Sequence, residues 1–374
     1  MRALEHQGVS TIFGYPGGSI MPVFDALFDH QDTLNHILVR HEQGAAHAAQ
    51  GYARVSGEVG VCLVTSGPGA TNTVTGIADA MIDSTPIVVI AGQVGTAFLG
   101  TDAFQEVDLV GITQPIAKWS YQIRRAEDVA WAVARAFYIA RSGRPGPVVL
   151  DFAKNAQVEK TKYEPTKLDF IRSYVPVPDT DEDAVKAAAE LINKAERPLV
   201  LVGQGVELGN AQGELRAFIE KADMPAGCTL LGLSALPTEH PLNKGMLGMH
   251  GTKASNFGVT HCDLLITIGA RFSDRVTGDA SRFARKARIL QIDIDPAEIN
   301  KNVIVDASIV GDVRSILQRL NPMVEEKRHE AWIAEIEELK RKYPLKFEES
   351  RLTGPYVVEE LYRVTKGEAI VTTE

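Results

Sequence analysis

"VGVCLVTSGPGATN", residues 59–72, opens with an apolar run that leaves no polar face, turns through Ser66, Gly67, Pro68 and Gly69, and continues into small residues. A short apolar run bounded by a glycine-proline turn predicts a strand buried on both faces, with a helix starting immediately after it. That is the strand-to-helix step of a parallel sheet. Outward from it, "VSTIFGY", "NHILVRH", "TPIVVIAGQ" and "GPVVLDF" repeat the strand pattern, each beside an alanine-rich or amphipathic stretch. The fold class is therefore α/β, a doubly wound parallel sheet with helices on both faces.

The N-terminus, "MRALEHQGVSTIFGYPGG", reads as the last turns of a helix running into a strand, with neither the apolar core of a signal peptide nor a transit-peptide pattern. Further on, "EKTKYEPTKLDFIRSYVPVPDTDED" carries no clean periodicity and is expected to hold a domain boundary. From about residue 181 the pattern restarts with "DEDAVKAAAELINKAE", "PLVLVGQGV", "CDLLITIGARF" and "ARILQIDIDP", which predicts a second doubly wound domain. "EEKRHEAWIAEIEELKRKYP" reads as a solvated outer helix, and "GPYVVEELYRVTKGEAIVTTE" as a helix plus one strand that begins a third domain. The expected domains span 1–160, 181–325 and 350–374.

At 374 residues the chain exceeds the ~250 to 300 at which single cores stop growing, in keeping with more than one domain. Hydrophobic residues make up 45% and charged residues 23%, and no apolar run approaches the ~18 residues of a membrane span. A net charge of −9 without basic blocks gives no footprint for nucleic acid or an anionic membrane, so the expected ligand is a small molecule. Cys62, Cys228 and Cys262 stand apart in apolar surroundings without C-x-x-C spacing, which predicts reduced core thiols and a cytoplasmic protein.

Several stretches carry chemistry. "SGPGATN" either presents backbone N–H groups to an anion or is a tight turn with Ser66 capping a helix; it lacks the lysine of a P-loop. "LVGQGVELGNA" offers Gly203 and Gly205 after a strand, half of a dinucleotide fingerprint, but Leu208 stands where the third glycine belongs. In "GARFSDRVTGD", Arg271 and Arg275 follow a strand and are placed either to grip a phosphate or ribityl chain or to form a surface ion-pair turn. Glu42, ahead of "QGAAHAAQGYARVSG", reads by its position alone as an acid at a helix start.

Taken in order, "GYPGG", "RHEQGA", "LVTSGPGATN", "GQV", "GTDAFQE", "SGRPGPVVLD", "MLGMHG" and "GARFSDRVTGD" closely resemble the large catalytic subunit of acetolactate synthase, a family of thiamine-diphosphate enzymes. The resemblance runs along essentially the whole chain. It implies an N-terminal pyrimidine-binding domain, a Rossmann-like central FAD-binding domain and the start of a diphosphate-binding domain. It also implies that Glu42 contacts N1′ of the cofactor's aminopyrimidine and promotes loss of the thiazolium C2 proton. For that role burial should raise the Glu42 pKa and outweigh the helix dipole, while the small residues after it allow close approach to another helix or subunit.

Other roles follow from the resemblance residue by residue. Tyr15, Pro16, Gly17 and Gly18 match the turn beside the reactive carbon, with a backbone N–H stabilising charge on the substrate oxygen. Thr65, Pro68 and Asn72 match contacts to the cofactor ring, which removes "SGPGATN" as the diphosphate site. Gln105, with Phe104, and Lys154 match the substrate pocket. The implied FAD contacts are Arg144, Gly203, Gly205, Thr229, Leu247, Gly248, Met249, His250, Gly269, Arg271, Arg275, Val276, Asp293, Gly311 and Asp312, holding a flavin that performs no net redox chemistry.

The chain departs from the family in carrying Gly95 where proline is frequent, "DFAKN" for the common "DLPKD", and Ser273 where aspartate is frequent. No Gly-Asp-Gly with a distant Asn occurs, so no metal ligand is assigned; the Mg²⁺ and diphosphate site is expected beyond Glu374, and the isolated chain is expected to be inactive. The implied substrates are pyruvate and 2-oxobutyrate, on the path to valine, leucine and isoleucine, and the implied partners are further copies in a homodimer or tetramer and a small regulatory subunit. The alternatives are a pyruvate oxidase or glyoxylate carboligase, or a non-catalytic fragment that keeps FAD or subunit binding. Glu42 argues against the carboligase, "RFSDRVTG" argues against the flavin-free acetolactate enzyme, and the broken fingerprint argues against a Rossmann dehydrogenase.

Overall fold

The computed structural model describes residues 1–373, which divide into two compact units, the first Met1–Val177 and the second from Pro178 onward. In the first unit the chain runs α1 (Arg2–His6), β1 (Thr11–Gly14), α2 (Met21–Phe28), β2 (Asn35–Leu38), α3 (Glu42–Ser56), β3 (Gly60–Val64), α4 (Pro68–Thr71), α5 (Val74–Ile82), β4 (Ile87–Gln93), α6 (Leu109–Thr113), β5 (Trp119–Ile123), α7 (Val129–Arg141), β6 (Val148–Ala153) and α8 (Lys154–Val158). Its six strands are ordered β2-β1-β3-β4-β6-β5, and every neighbouring pair is parallel.

Strand side chains alternate between two buried faces. Val61, Leu63, Val88, Ile90, Val148 and Leu150 join a core with α1, α2 and α7. Cys62, Val64, Val89 and Val149 join another with α3 and α5. Burial on both faces is why these strands read as unbroken apolar runs. The small residues of α3 let it settle close to its neighbours: a methyl at Gly76 of α5 would lie 2.5 Å from the Ala46 Cβ, and one at Gly60 would lie 2.1 Å from the Ala49 carbonyl oxygen.

The second unit contains α9 (Glu182–Lys194), β7 (Pro198–Val202), α10 (Gly205–Leu208), α11 (Gln212–Lys221), β8 (Ala226–Cys228), β9 (Asn243–Met246), α12 (Lys253–His261), β10 (Leu264–Ile268), α13 (Asp274–Thr277), β11 (Arg288–Asp293), β12 (Ala307–Val310), α14 (Val313–Leu320), α15 (Glu330–Lys342) and α16 (Gly354–Thr365). The strand order is β12-β11-β10-β7-β8-β9, again with parallel pairs throughout. Counted from β7, this is the 3-2-1-4-5-6 order of the dinucleotide-binding fold. Helices α9, α11 and α14 cover one face, and α12 and α15 the other.

Two expectations are corrected here. Helix α15 is not simply a solvated outer helix: it buries Trp332 and Ile336, and the Trp332 indole donates to the Pro198 carbonyl at 2.9 Å. Its charged face is bound too, through a fork of Arg197 on Glu335 with bonds of 2.9 and 2.5 Å. The strand expected after α16 does not form among the described residues, since 368–373 pair with no sheet. A lone strand has no ladder to satisfy its backbone groups.

Three cysteines are free and buried, with the Cys228 thiol pushed up to about 11 and Cys262 to about 12 by burial. Among the described residues no helix is long and apolar enough to cross a membrane.

Candidate active site

In the first sheet the strand order reverses between β1 and β3, and a ligand crevice is expected outside the carboxyl ends of those strands. The residues that follow them meet there. The Tyr15 N–H donates to the Leu63 carbonyl at 3.1 Å. The Ser19 N–H donates to Thr65 Oγ1 at 3.3 Å, and Gly17 lies so near that a methyl on it would meet Thr65 at 2.6 Å. Ser66 does not cap a helix. Gly67 holds the N-cap position of α4, and the Ser66 hydroxyl donates instead to Ser19 Oγ at 2.8 Å.

Glu42 opens α3, capped by His41, whose ring accepts the Gln43 N–H at 3.1 Å. Its side chain is buried, with 8% exposed. Asn72, at the end of the "SGPGATN" turn, donates from Nδ2 to Glu42 Oε2 at 2.9 Å. The other oxygen, Oε1, lies on the side of Gly69, where an added methyl would sit 3.3 Å away. One carboxylate oxygen is thus fixed by a neutral donor while the other faces the turn that follows β3. A buried carboxylate held this way is suited to hold or pass a proton through Oε1.

Gln105 packs on the same turn. A methyl at Gly67 would lie 2.7 Å from the Gln105 carbonyl oxygen, and both residues have positive φ, 58° and 59°. Positive φ at a non-glycine residue is sparsely populated and is maintained only by its surroundings. Phe104 beside it is 87% exposed. Lys154 stands exposed at the carboxyl end of β6, at the same edge of the sheet. Arg144 lies at the opposite edge, before β6, where its Nε donates to Ser84 Oγ at 2.8 Å.

Sequence reading assigned no role to Ser19, Gln93, Glu106 or Asp151. The available signal was a polar residue inside an apolar strand: Gln93 ends "IVVIAGQ" and Asp151 interrupts "VVLDF", and both are 1% exposed. Burial pushes the Asp151 carboxyl up to about 6, against the hydrogen bonds it accepts from Gln122 and Gln93.

The second unit gathers its expected residues at the carboxyl ends of all six strands. At the reversal between β7 and β10, the Gly203 N–H donates to the Ile268 carbonyl at 2.9 Å and the Gly205 N–H to the Gly269 carbonyl at 3.0 Å. A methyl on Gly203 would lie 2.2 Å from the Gly269 oxygen, and one on Gly205 would lie 2.6 Å from the Gly269 Cα. Thr229 follows β8 and donates its N–H to the Val202 carbonyl at 2.9 Å. Leu247 to His250 follow β9 and rest on the loop after β10, with the Met249 N–H 2.8 Å from the Arg275 carbonyl and a methyl on Gly248 placed 3.0 Å from the Val276 Cα.

Arg271 leads into that loop, and its carbonyl accepts from Asn302 Nδ2 at 3.1 Å. Arg275 pairs with Asp274 at 3.1 Å on the surface. Asp293 ends β11, its carbonyl accepting the Gly311 N–H at 2.9 Å, and Asp312 caps α14 through the Ser315 N–H at 2.8 Å. The glycines let the turns after β7, β9 and β10 pack directly on one another at the switch point of a dinucleotide-type sheet, the place where such a sheet receives a dinucleotide, and these residues fit a flavin dinucleotide there.

The chain thus carries two doubly wound parallel domains, the first with a buried glutamate at its switch point and the second with packed glycine turns at its own, and the matches to known families place it among the thiamine-dependent enzymes. Residues 1–112 match the family described as thiamine pyrophosphate enzyme, N-terminal TPP binding domain, and residues 185–320 match thiamine pyrophosphate enzyme, central domain. A probable acetolactate synthase large subunit of Methanocaldococcus jannaschii is 50% identical over 91% of this chain and 58% of its own length. The acetolactate synthase large subunit of Parasynechococcus marenigrum is 47% identical over 100% of this chain and 62% of its own. The isozyme 2 large subunit of Escherichia coli is 44% identical over 100% and 67%. The chain belongs to the acetolactate synthase large-subunit family. It spans 58 to 67% of the length of these relatives.

Proposed function

We propose that the chain supplies the pyrimidine-binding and FAD-binding domains of an acetolactate synthase catalytic subunit, joining pyruvate to a second pyruvate or to 2-oxobutyrate on the path to branched-chain amino acids. The observation that carries this reading is the buried Glu42 whose Oε2 is held by Asn72. Thiamine diphosphate, when bound with Mg²⁺, supplies the decarboxylation and carbon–carbon bond formation.

The chain's own residues set the conditions for that chemistry. Glu42 holds a proton at Oε1 for a pyrimidine nitrogen, and Asn72 keeps the carboxylate from rotating away. Thr65 and Ser19 fix the Tyr15–Gly18 turn beside the reacting atoms, with Pro16 and Gly17 in its path. Pro68 starts the helix that carries the ring contacts. Gln105 and Phe104 line the substrate side of the site, and Lys154 offers a cation to a substrate carboxylate. In the second unit the backbone N–H groups of the turn after β7 would receive the flavin's diphosphate, with Arg271 and Arg275 on the loop after β10 beside it.

The same reading takes the working enzyme to be a cytoplasmic homodimer or tetramer with a small regulatory subunit. It also takes the 374 residues alone to be inactive.

The test is product analysis on the enzyme isolated from its source cells with an antibody to this chain, supplied with pyruvate, thiamine diphosphate, Mg²⁺ and FAD. Acetolactate is the expected product, and acetyl phosphate with peroxide would overturn the reading. Glu42→Gln in the same enzyme should lower turnover by roughly 10² to 10⁴, the range for losing a general acid or base.

A further inference from the structure

Residues 94–107 leave the sheet after β4 and return before α6, carrying Phe104 and Gln105 between. One side chain joins the two ends of this excursion. Gln93 Oε1 accepts the Val94 N–H at 2.8 Å, and its Nε2 donates to the Val107 carbonyl at 2.9 Å. The same Nε2 donates to Asp151 Oδ2 at 3.2 Å, which also accepts from Gln122 Nε2 at 2.7 Å. Asp151 Oδ1 is buried and has no hydrogen-bond partner among the described residues. Leaving a buried carboxylate oxygen unsatisfied is costly, so the cluster calls for an explanation.

Inside the excursion a second carboxylate gathers the backbone. Glu106 accepts the N–H groups of Gly100 and Ala103, the latter at 3.1 Å, and these backbone bonds hold its pKa below the usual carboxylate range. Asn155 of α8 fixes the first turn by accepting the Thr96 N–H at 3.0 Å. The segment is therefore closed at its base by Gln93 and folded around Glu106, and its far side lies on the Gly67 turn through Gln105.

We propose that Gln93 and Asp151 are positioning residues of the Glu42 site: together they clip the ends of segment 94–107 and so seat Gln105 against the Gly67 turn. This rests on the reading of that site as the thiamine site. Asp151 Oδ2 accepts both glutamine amides at once, so Gln93 is tied to Gln122 of β5 as well as to the ends of the segment. The charged groups that face Asp151 are Asp108, which raises its pKa, and Arg124, which lowers it.

Hydrogen exchange on the 374-residue chain, without cofactor or substrate, tests the clip. In Asp151→Asn and in Gln93→Ala, amides of 94–107 and of the 66–72 turn should exchange roughly tenfold faster at pH 7.5, while those of β3 keep their protection. Unchanged exchange of 94–107, or a loss spread over the whole first unit, would overturn the proposal; if Gln93→Ala does not fold, Asp151→Asn alone decides. Because no cofactor is present, a loosened segment beside full acetolactate formation in Glu42→Gln enzyme would overturn the thiamine reading and leave the clip standing.

Discussion

Asn72 and Asp151 show how single polar groups set opposite terms at one sheet edge. Asn72 donates to a carboxylate that is already buried, so Asn72→Ala leaves an acceptor with neither water nor partner and should cost about 1 to 3 kcal/mol in a urea melt. Asp151 works in the other direction. Its folded-state pKa, about 6, lies above the ordinary 3.8, so the folded chain binds the extra proton and Asp151 lowers stability as the pH rises from 3.8 through 6. Across that range the loss is at most on the order of 3 kcal/mol. Asp151→Asn should therefore melt no lower than the wild type at pH 7.5, and its advantage should vanish below about pH 4. A lower melting point at pH 7.5 would refute the sign. Neither role could be read from the residue alone: Glu42 reads as a helix-start acid until Asn72, 30 residues away, is brought to it.

At the scale of elements, what was legible depended on burial. β3, β4, β6, β7, β10 and β11 are buried along most of their length and are bounded by turn residues. β5, β8, β9 and β12 carry no such run. "WSYQI", "NKGM" and "ASIV" occupy sheet edges, where ladder bonds to one neighbour define the strand, and "AGC" has only three residues. Helix α15 reads as solvated because Trp332, Ile333, Ile336 and Leu339 stand among charged residues, and the burial of Trp332 and Ile336 needs α12 opposite. Two substitutions test element geometry. Gly203→Ala places a methyl against the Gly269 oxygen with no room to move, and should cost at least about 1 to 3 kcal/mol. Gly95 has φ −63°, a value proline adopts, and only Phe98 comes near, at 3.9 Å. Gly95→Pro should then raise stability by about 0.4 to 1 kcal/mol through the unfolded chain.

For the molecule as a whole, the two sheets share one rule: expected ligand residues lie where strands end, and Arg144 is the exception. If the second unit holds a flavin, FAD at a hundred times its Kd should stabilise the chain by about 2.7 kcal/mol, and Gly205→Ala should abolish the shift in melting temperature. The strand order also has a temporal side. A ribosome delivers Glu42, Asn72 and Gln105 within one continuous stretch, so the first crevice can assemble once β6 has emerged. The second waits in the same way, because Gly203 and Gly205 pack on Gly269, which is made only after β8, β9 and β10. Until then the nascent chain exposes an open sheet edge at β7, as it does at β4 until β6 is made, and these two intervals are when a newly made molecule is open to mispairing.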